Sequence, residues 1–205
     1  MVAIIDYGVG NLFSLHASFQ AIGQPSAVTS DPAQIAAASH VILPGVGAFA
    51  DAAAKLRGTG LDEVLRGEIR KGKPVMGICL GMQLLFEKSY EFGEHAGLSL
   101  LRGEVIPMAG TIPAELKIPH IGWNALHILD ESSPIFRYTR QGECVYFVHS
   151  FYAAGCDDSC VATAEYGREI TAAVNRDNLF GCQFHPEKSG AAGLSILRAF
   201  CEIKG

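Results

Sequence analysis

The run Gly77-Ile78-Cys79-Leu80-Gly81 places a thiol between two glycines, where an apolar stretch meets a helix-like one. This is the nucleophile-elbow spacing Gly-x-Ser-x-Gly with Cys in place of Ser. The glycines let a strand turn sharply into a helix without a Cβ collision, which holds the sulfur exposed at the turn. The N–H groups opening the following helix favour negative charge there, and hence the thiolate. A second reading of the run alone is a structural cysteine in an apolar core, because free Cys is so often buried.

A thiol nucleophile needs a base, and the base needs a third group to fix its tautomer. His185-Pro186-Glu187 supplies both types. On an extended strand residues i and i+2 share a face, so Glu187 is expected to reach the ring of His185. Pro186 cannot donate to a ladder, which puts the pair at a strand end. The bland alternative is an ordinary strand terminus with a satisfied histidine. Attack on a carbonyl also creates an oxyanion that requires converging N–H donors. One is the N–H of Leu80, and the loop Pro44-Gly45-Val46-Gly47 is expected to supply another from Val46 or Gly47. Glycines at 45 and 47 allow unusual φ and let a peptide flip, so this loop reads as a switch whose donor points away at rest.

These groups need a scaffold that brings strand ends together. Val2 to Asp6, Ala27 to Thr29, His40 to Leu43 and Pro74 to Ile78 read as strands. Helical stretches separate them: Leu12 to Ala21, an Ala-rich helix capped by Asp31-Pro32, two between Phe49 and Lys71, then Gly81 to Glu87. Strands apolar on both faces and separated by helices predict a parallel sheet covered on both sides. Cys144 to Val148, Val161 to Tyr166, Thr171 to Asn175 and Phe180 to Phe184 are spaced by turns and read as antiparallel additions, followed by an amphipathic helix from Gly193 to Ile203. The expectation is one α/β domain over residues 1–205, an open, mostly parallel sheet with helices on both faces. In such sheets chemistry collects outside the carboxyl ends of the strands, here Tyr7-Gly8, Pro44 to Gly47 and Cys79.

Composition narrows the function classes. The 205 residues are 49% hydrophobic and 18% charged, with 23 Gly and a net charge of −5, which suits a large interior with many tight turns. The acidic balance argues against nucleic acid as a partner. No apolar run approaches the roughly 18 residues of a membrane span. The first basic residue is Lys55, unlike the charged start of a signal peptide, so the chain is expected in the cytoplasm. Its six cysteines are therefore expected as reduced thiols, with Cys144, Cys182 and Cys201 as small buried side chains. Cys156-x3-Cys160 lacks a second Cys/His pair at zinc spacing, so no metal is expected.

The elbow Gly77-Ile78-Cys79-Leu80-Gly81-Met82-Gln83 and the later Gln183-Phe184-His185-Pro186-Glu187-Lys188 resemble those of the class I (triad) glutamine amidotransferases. Within that family the chain is similar to the glutaminase subunits of imidazole glycerol phosphate synthases, which serve histidine biosynthesis. Asp6 to Leu12, Leu43 to Gly47, Pro119 to Asn124 and Tyr146 to Ser150 carry that narrower likeness. The resemblance implies Cys79 as nucleophile, His185 as acid and base, and Glu187 as orienting carboxylate. It implies glutamine bound against Gly47, Leu80 and Gln83 and against the backbone of His149, Ser150 and Phe151, with Phe151 replacing a more usual Tyr. His149 then belongs to the substrate wall or is merely structural.

The same resemblance implies hydrolysis of glutamine through a γ-glutamyl thioester, with no cofactor. Its ammonia would go to a (β/α)8-barrel cyclase subunit that makes imidazole glycerol phosphate and an aminoimidazole carboxamide ribotide. Asn11, Ile121, Gly122, Trp123, Asn124 and Lys188 would face that subunit, although residue type alone leaves core packing open for Trp123. Two other functions stand beside this one. A glutaminase serving another synthase, such as that of vitamin B6, would not call for Ile121-Gly122-Trp123-Asn124. A non-catalytic glutamine sensor could dispense with Cys79, His185 and Glu187, all of which are present.

Overall fold

Short β-branched and apolar runs form the strands, and the stretches between them form helices, in a computed structural model that describes residues 1–204. In chain order the first half comprises β1 (Val2–Ile5), α1 (Leu12–Ala21), β2 (Ser26–Thr29), α2 (Pro32–Ala37), β3 (His40–Leu43), α3 (Phe49–Gly58), α4 (Leu61–Arg70), β4 (Val75–Ile78) and α5 (Leu80–Gln83). The second half comprises β5 (Lys88–Ser89), β6 (His95–Ala96), β7 (Glu104–Pro107), β8 (His120–Ala125), β9 (His127–Ile128), β10 (Cys144–His149), β11 (Phe151–Ala154), β12 (Cys160–Glu165), β13 (Glu169–Arg176), β14 (Leu179–Cys182) and α6 (Gly190–Cys201). Asp31 caps α2 as its sequence suggests, its carboxylate accepting from the Ala33 N–H at 2.9 Å with Pro32 in the first turn.

Eight strands form one sheet in the order β2-β1-β3-β4-β14-β13-β12-β9. Pairings from β2 through to β14 are parallel, and those from β14 to β9 are antiparallel. Period-two alternation explains why the central strands are apolar throughout. Ile5, Leu43 and Val75 pack with Ile35, Leu56 and Leu65 from α2, α3 and α4. Ile4, Ile42 and Met76 pack with Leu15 and Phe19 of α1 and with Ile196, Leu197 and Phe200 of α6 on the other side. Helices therefore cover both faces, as the sequence predicts.

Two local expectations are corrected. The helix expected over Gly81 to Glu87 is the single turn α5, because the chain then bends to pair Leu98, Leu100 and Leu101 with the Leu84 and Leu85 carbonyls. Strand β14 is more than an antiparallel addition. It hairpins with β13 and also lies parallel to β4, in register Cys182 against Ile78. That insertion brings the segment following β14 beside the elbow following β4. Outside the main sheet, β8 pairs with β10, and β11-β7-β5-β6 form a small second sheet. Both continue the wall around the elbow.

Candidate active site

At the end of β4 the backbone of Cys79 adopts φ 53°, ψ −111°, a left-handed conformation uncommon for a residue with a Cβ. Its N–H donates to the Cys182 carbonyl at 2.7 Å, so the sheet ladder holds the strained residue in place. The flanking glycines are required for space. A Cβ on Gly81 would lie 1.9 Å from the Leu43 carbonyl oxygen, and one on Gly77 2.6 Å from the Gly81 carbonyl oxygen. Gly45 is also a spacing residue, its Cβ position being 2.7 Å from the Gly81 nitrogen. This corrects the expectation of unusual φ at both loop glycines. Only Gly47 has it, at +95°, with open space where a Cβ would stand. The buried Tyr7 hydroxyl tethers this loop by donating to the Pro44 carbonyl at 2.7 Å.

His185 Nδ1 lies 2.8 Å from Glu187 Oε1, and both side chains are almost fully buried. The contact is as expected, but its geometry is not that of a strand. Glu187 sits in a 3-10 turn over Pro186–Lys188, and His185 precedes that turn. A turn folds i+2 back beside i, which shortens the reach further than an extended strand could. Burial pulls the imidazole pKa down, and hydrogen bonds to Cys79 and Glu187 overcome it, lifting His185 to about 9. The His185 N–H donates to the Tyr146 carbonyl at 2.9 Å, and Ser189 Oγ donates to the His185 carbonyl at 2.6 Å. His185 is thus fixed through both backbone and ring.

A cavity of about 390 Å³ opens over these groups, within the range of small-molecule sites. Cys79, His185, Val46, Gly47, Leu80, Gln83, His149, Ser150 and Phe151 all line it, so nearly every residue expected at the thiol or the substrate converges there. Glu187 stands behind His185 instead. Gln83 turns both amide hydrogens to the protein, one to the Phe151 carbonyl at 3.0 Å and one to Gln183 Oε1 at 2.9 Å. Two lining or contact residues escaped the sequence reading. Gln183 Nε2 approaches Cys79 Sγ at 3.6 Å, and Glu91 lines the cavity while accepting from the Phe49 N–H at 2.5 Å. Gln183 stood two residues before His185, a same-face signal available in the sequence. Glu91 carried no spacing signal.

The residues expected to face a partner divide. Along β8 alternate side chains point to opposite sides. Ile121 and Trp123 are 58% and 57% exposed, which discards core packing for Trp123. Asn124 points the other way, contrary to expectation, donating to the Glu165 carbonyl at 2.7 Å. Gly122 takes a φ of +136° between them. Lys188 is exposed with its ammonium over the Tyr146 ring, and Asn11 is half-buried at the start of α1. Cys144 is exposed and Cys201 partly so, because neither side chain reaches a core cluster's interior; Cys182 is buried as expected. Among the described residues no cluster of three or more His, Cys, Asp or Glu could hold a metal, and no helix is long and apolar enough to cross a membrane.

The class-I glutamine amidotransferase profile matches residues 3–203. The imidazole glycerol phosphate synthase subunit HisH of Caldanaerobacter subterraneus is 48% identical over 204 residues, covering 99% of this chain and 98% of that protein. The HisH subunit of Methanothermobacter thermautotrophicus is 50% identical over 203 residues, with 99% and 98% covered. Among solved structures, a glutamine amidotransferase superposes with a TM-score of 0.76 at 16% identity, covering 98% of each chain. PurLQS from Thermotoga maritima gives 0.72 at 20% identity, with 98% and 96% covered. These two structures speak to the fold, and the full-length relatives to the family. The chain belongs to the class-I glutamine amidotransferases, on the branch of the HisH subunits of imidazole glycerol phosphate synthase.

Proposed function

We propose that Cys79, His185 and Glu187 form the catalytic triad with which this chain hydrolyses glutamine to glutamate and ammonia for imidazole glycerol phosphate synthesis. One observation carries the assignment: His185, held by the buried Glu187 carboxylate, lines the same cavity of amino-acid size as the Cys79 thiol. With Glu187 accepting from Nδ1–H, Nε2 is the ring nitrogen left free to serve the sulfur. The Cys79 thiolate attacks the side-chain carboxamide carbon, and the oxyanion is met by N–H groups of Leu80 and of Val46 or Gly47. His185 donates its proton to the departing ammonia, leaving a γ-glutamyl thioester. Water then adds with His185 as base, releasing glutamate and the free thiolate. Each proton is accounted for by His185 and water, without a cofactor.

Because both Gln83 amide hydrogens are engaged, its carbonyl oxygen is the group left to accept from the bound glutamine. Glu91 is placed to meet the α-ammonium. Ammonia released into water would be protonated and lost, so the reading includes a (β/α)8-barrel cyclase that receives it directly, docked against Ile121, Trp123, Lys188, Gly122 and Asn11. We read residues 1–205 as a single domain acting in the cytoplasm.

Glutamate release from glutamine, by the chain alone and then with the cyclase and its ligand, tests the proposal. Low release alone and strong stimulation in the complex are expected. Cys79→Ser should abolish glutamine use while ammonia-supplied cyclisation by the complex survives. Loss of the ammonia-dependent reaction too would overturn the assignment of Cys79 to hydrolysis.

A further inference from the structure

Beside the cavity runs a line of hydrogen bonds that the triad does not use. His120 and His149 face each other in antiparallel register between β8 and β10, and both are buried. His149 Nδ1 lies 2.9 Å from the Phe151 carbonyl oxygen. A carbonyl only accepts, so Nδ1 carries the proton and Nε2 of the neutral ring is an acceptor. His120 Nδ1, 3.1 Å from that Nε2, must therefore donate. His120 Nε2 is left to accept, and Asn124 Nδ2 lies 3.4 Å away. Donors thus run in one direction from β8 to the Phe151 carbonyl.

Neutral rings are what this arrangement requires, and burial supplies them. Burial pushes His120 down to about 4. It also pushes His149 down to about 3; the Phe151 carbonyl opposes this, and His120 and His185 add to it. The Phe151 carbonyl receives a second donor, Gln83 Nε2 at 3.0 Å, and Gln83 leads through Gln183 to Cys79 Sγ. His149, Phe151 and Gln83 line the cavity, whereas His120 stands behind them.

We infer that His120 is a positioning residue for glutamine: its Nδ1–H locks His149 in one tautomer, which holds the Phe151 carbonyl and Gln83 as a fixed wall of the glutamine pocket. The inference rests on the glutaminase reading above. A purely structural role has its own support, since the His120 ring stacks between Phe147 and Tyr166 at centroid distances of 4.9 and 4.1 Å. The two roles respond oppositely to two substitutions. His120→Phe keeps a flat ring in the stack and removes the donor. His120→Asn removes the ring and returns an N–H near the Nδ1 position.

In the complex with the cyclase and its ligand, His120→Phe should raise KM for glutamine roughly tenfold, the effect of one buried acceptor left unpaired, with kcat changed by about twofold or less. His120→Asn should recover most of that loss. Near-normal KM in the Phe variant, or equal impairment of both, would overturn the inference. The ¹⁵N shifts of the imidazoles in the wild-type chain give a readout independent of how either variant folds. Both rings should be Nδ1–H tautomers, and an Nε2–H tautomer at His149 would equally overturn it. A wild-type complex that releases no glutamate would instead remove the glutaminase reading, and leave the ¹⁵N tautomers to decide the His120–His149 contact.

Discussion

Burial alone would hold His185 below the ordinary imidazole range; its bonds to Cys79 and Glu187 carry it to about 9. Two consequences follow from the sign of that shift. The folded chain holds the proton more tightly than an unfolded chain with a pKa near 6.5. The associated stabilisation is therefore complete below about pH 6.5 and is lost as pH rises through about 9, which chemical denaturation at stepped pH would show. The proposed mechanism needs the same proton for the departing ammonia, so kcat/KM for glutamine should fall along an alkaline limb near pH 9. Glu187→Gln removes one of the groups that raise His185, and should move that limb to lower pH while reducing turnover on the order of 10²-fold or more. An unmoved limb would show that Glu187 does not set the His185 titration. Much of the proposed triad is legible as residue types at short spacing, because Gly-x-Cys-x-Gly and His-Pro-Glu are each local. Gln183 and Glu91 are less so, since what they touch is set by chain segments far away in sequence.

At the scale of elements, three glycines and one strand make the site. Gly77, Gly81 and Gly45 let the elbow press against the Pro44 loop, and Gly81 has no room for a methyl group beside the Leu43 carbonyl. Gly81→Ala should cost about 2–3 kcal/mol in denaturant titrations, an overpacking penalty against backbone. Gly47→Ala meets no neighbour, but its φ of +95° disfavours any Cβ by about 1–2 kcal/mol. That variant should stay folded, lose stimulated glutamine turnover and keep ammonia-dependent cyclisation; unchanged turnover would sink the switch assigned to this loop. The strands β1 to β4 and the helices α1 to α4 are readable because each is apolar at its own period, whereas the single turn α5 is shorter than its apolar run suggests. The place of β14 is not readable in this way. Leu179 to Cys182 announces a hairpin with β13, while its pairing with β4 depends on an edge left open by the β1-β3-β4 order. Two-residue strands such as β5 and β6 are too short to carry any period.

Over the whole molecule, exposed apolar side chains gather beside the cavity. Phe13 is 83% exposed and shares a cleft with Pro186, Glu187 and Gly190, and the Trp123 ring tip approaches Gly190. Trp123 in turn packs edge-on to Tyr146, over which Lys188 lies. Exposed apolar side chains beside a lysine are the composition expected of the proposed cyclase-docking face. Trp123→Ala should weaken cyclase binding tenfold or more by titration calorimetry, with little change in the melting temperature because the ring adds little to the core. A large drop in melting temperature would place Trp123 among the structural residues. The insertion of β14 between β4 and β13 also bears on the order in which the protein acquires reactivity. A ribosome delivers Cys79 long before His185, and the base reaches the sulfur only when β14 closes the gap between its neighbours. A nascent or partly unfolded chain therefore carries a thiol with no partner to arm it. Glutamine is safe from this chain until the last strand of its sheet is home.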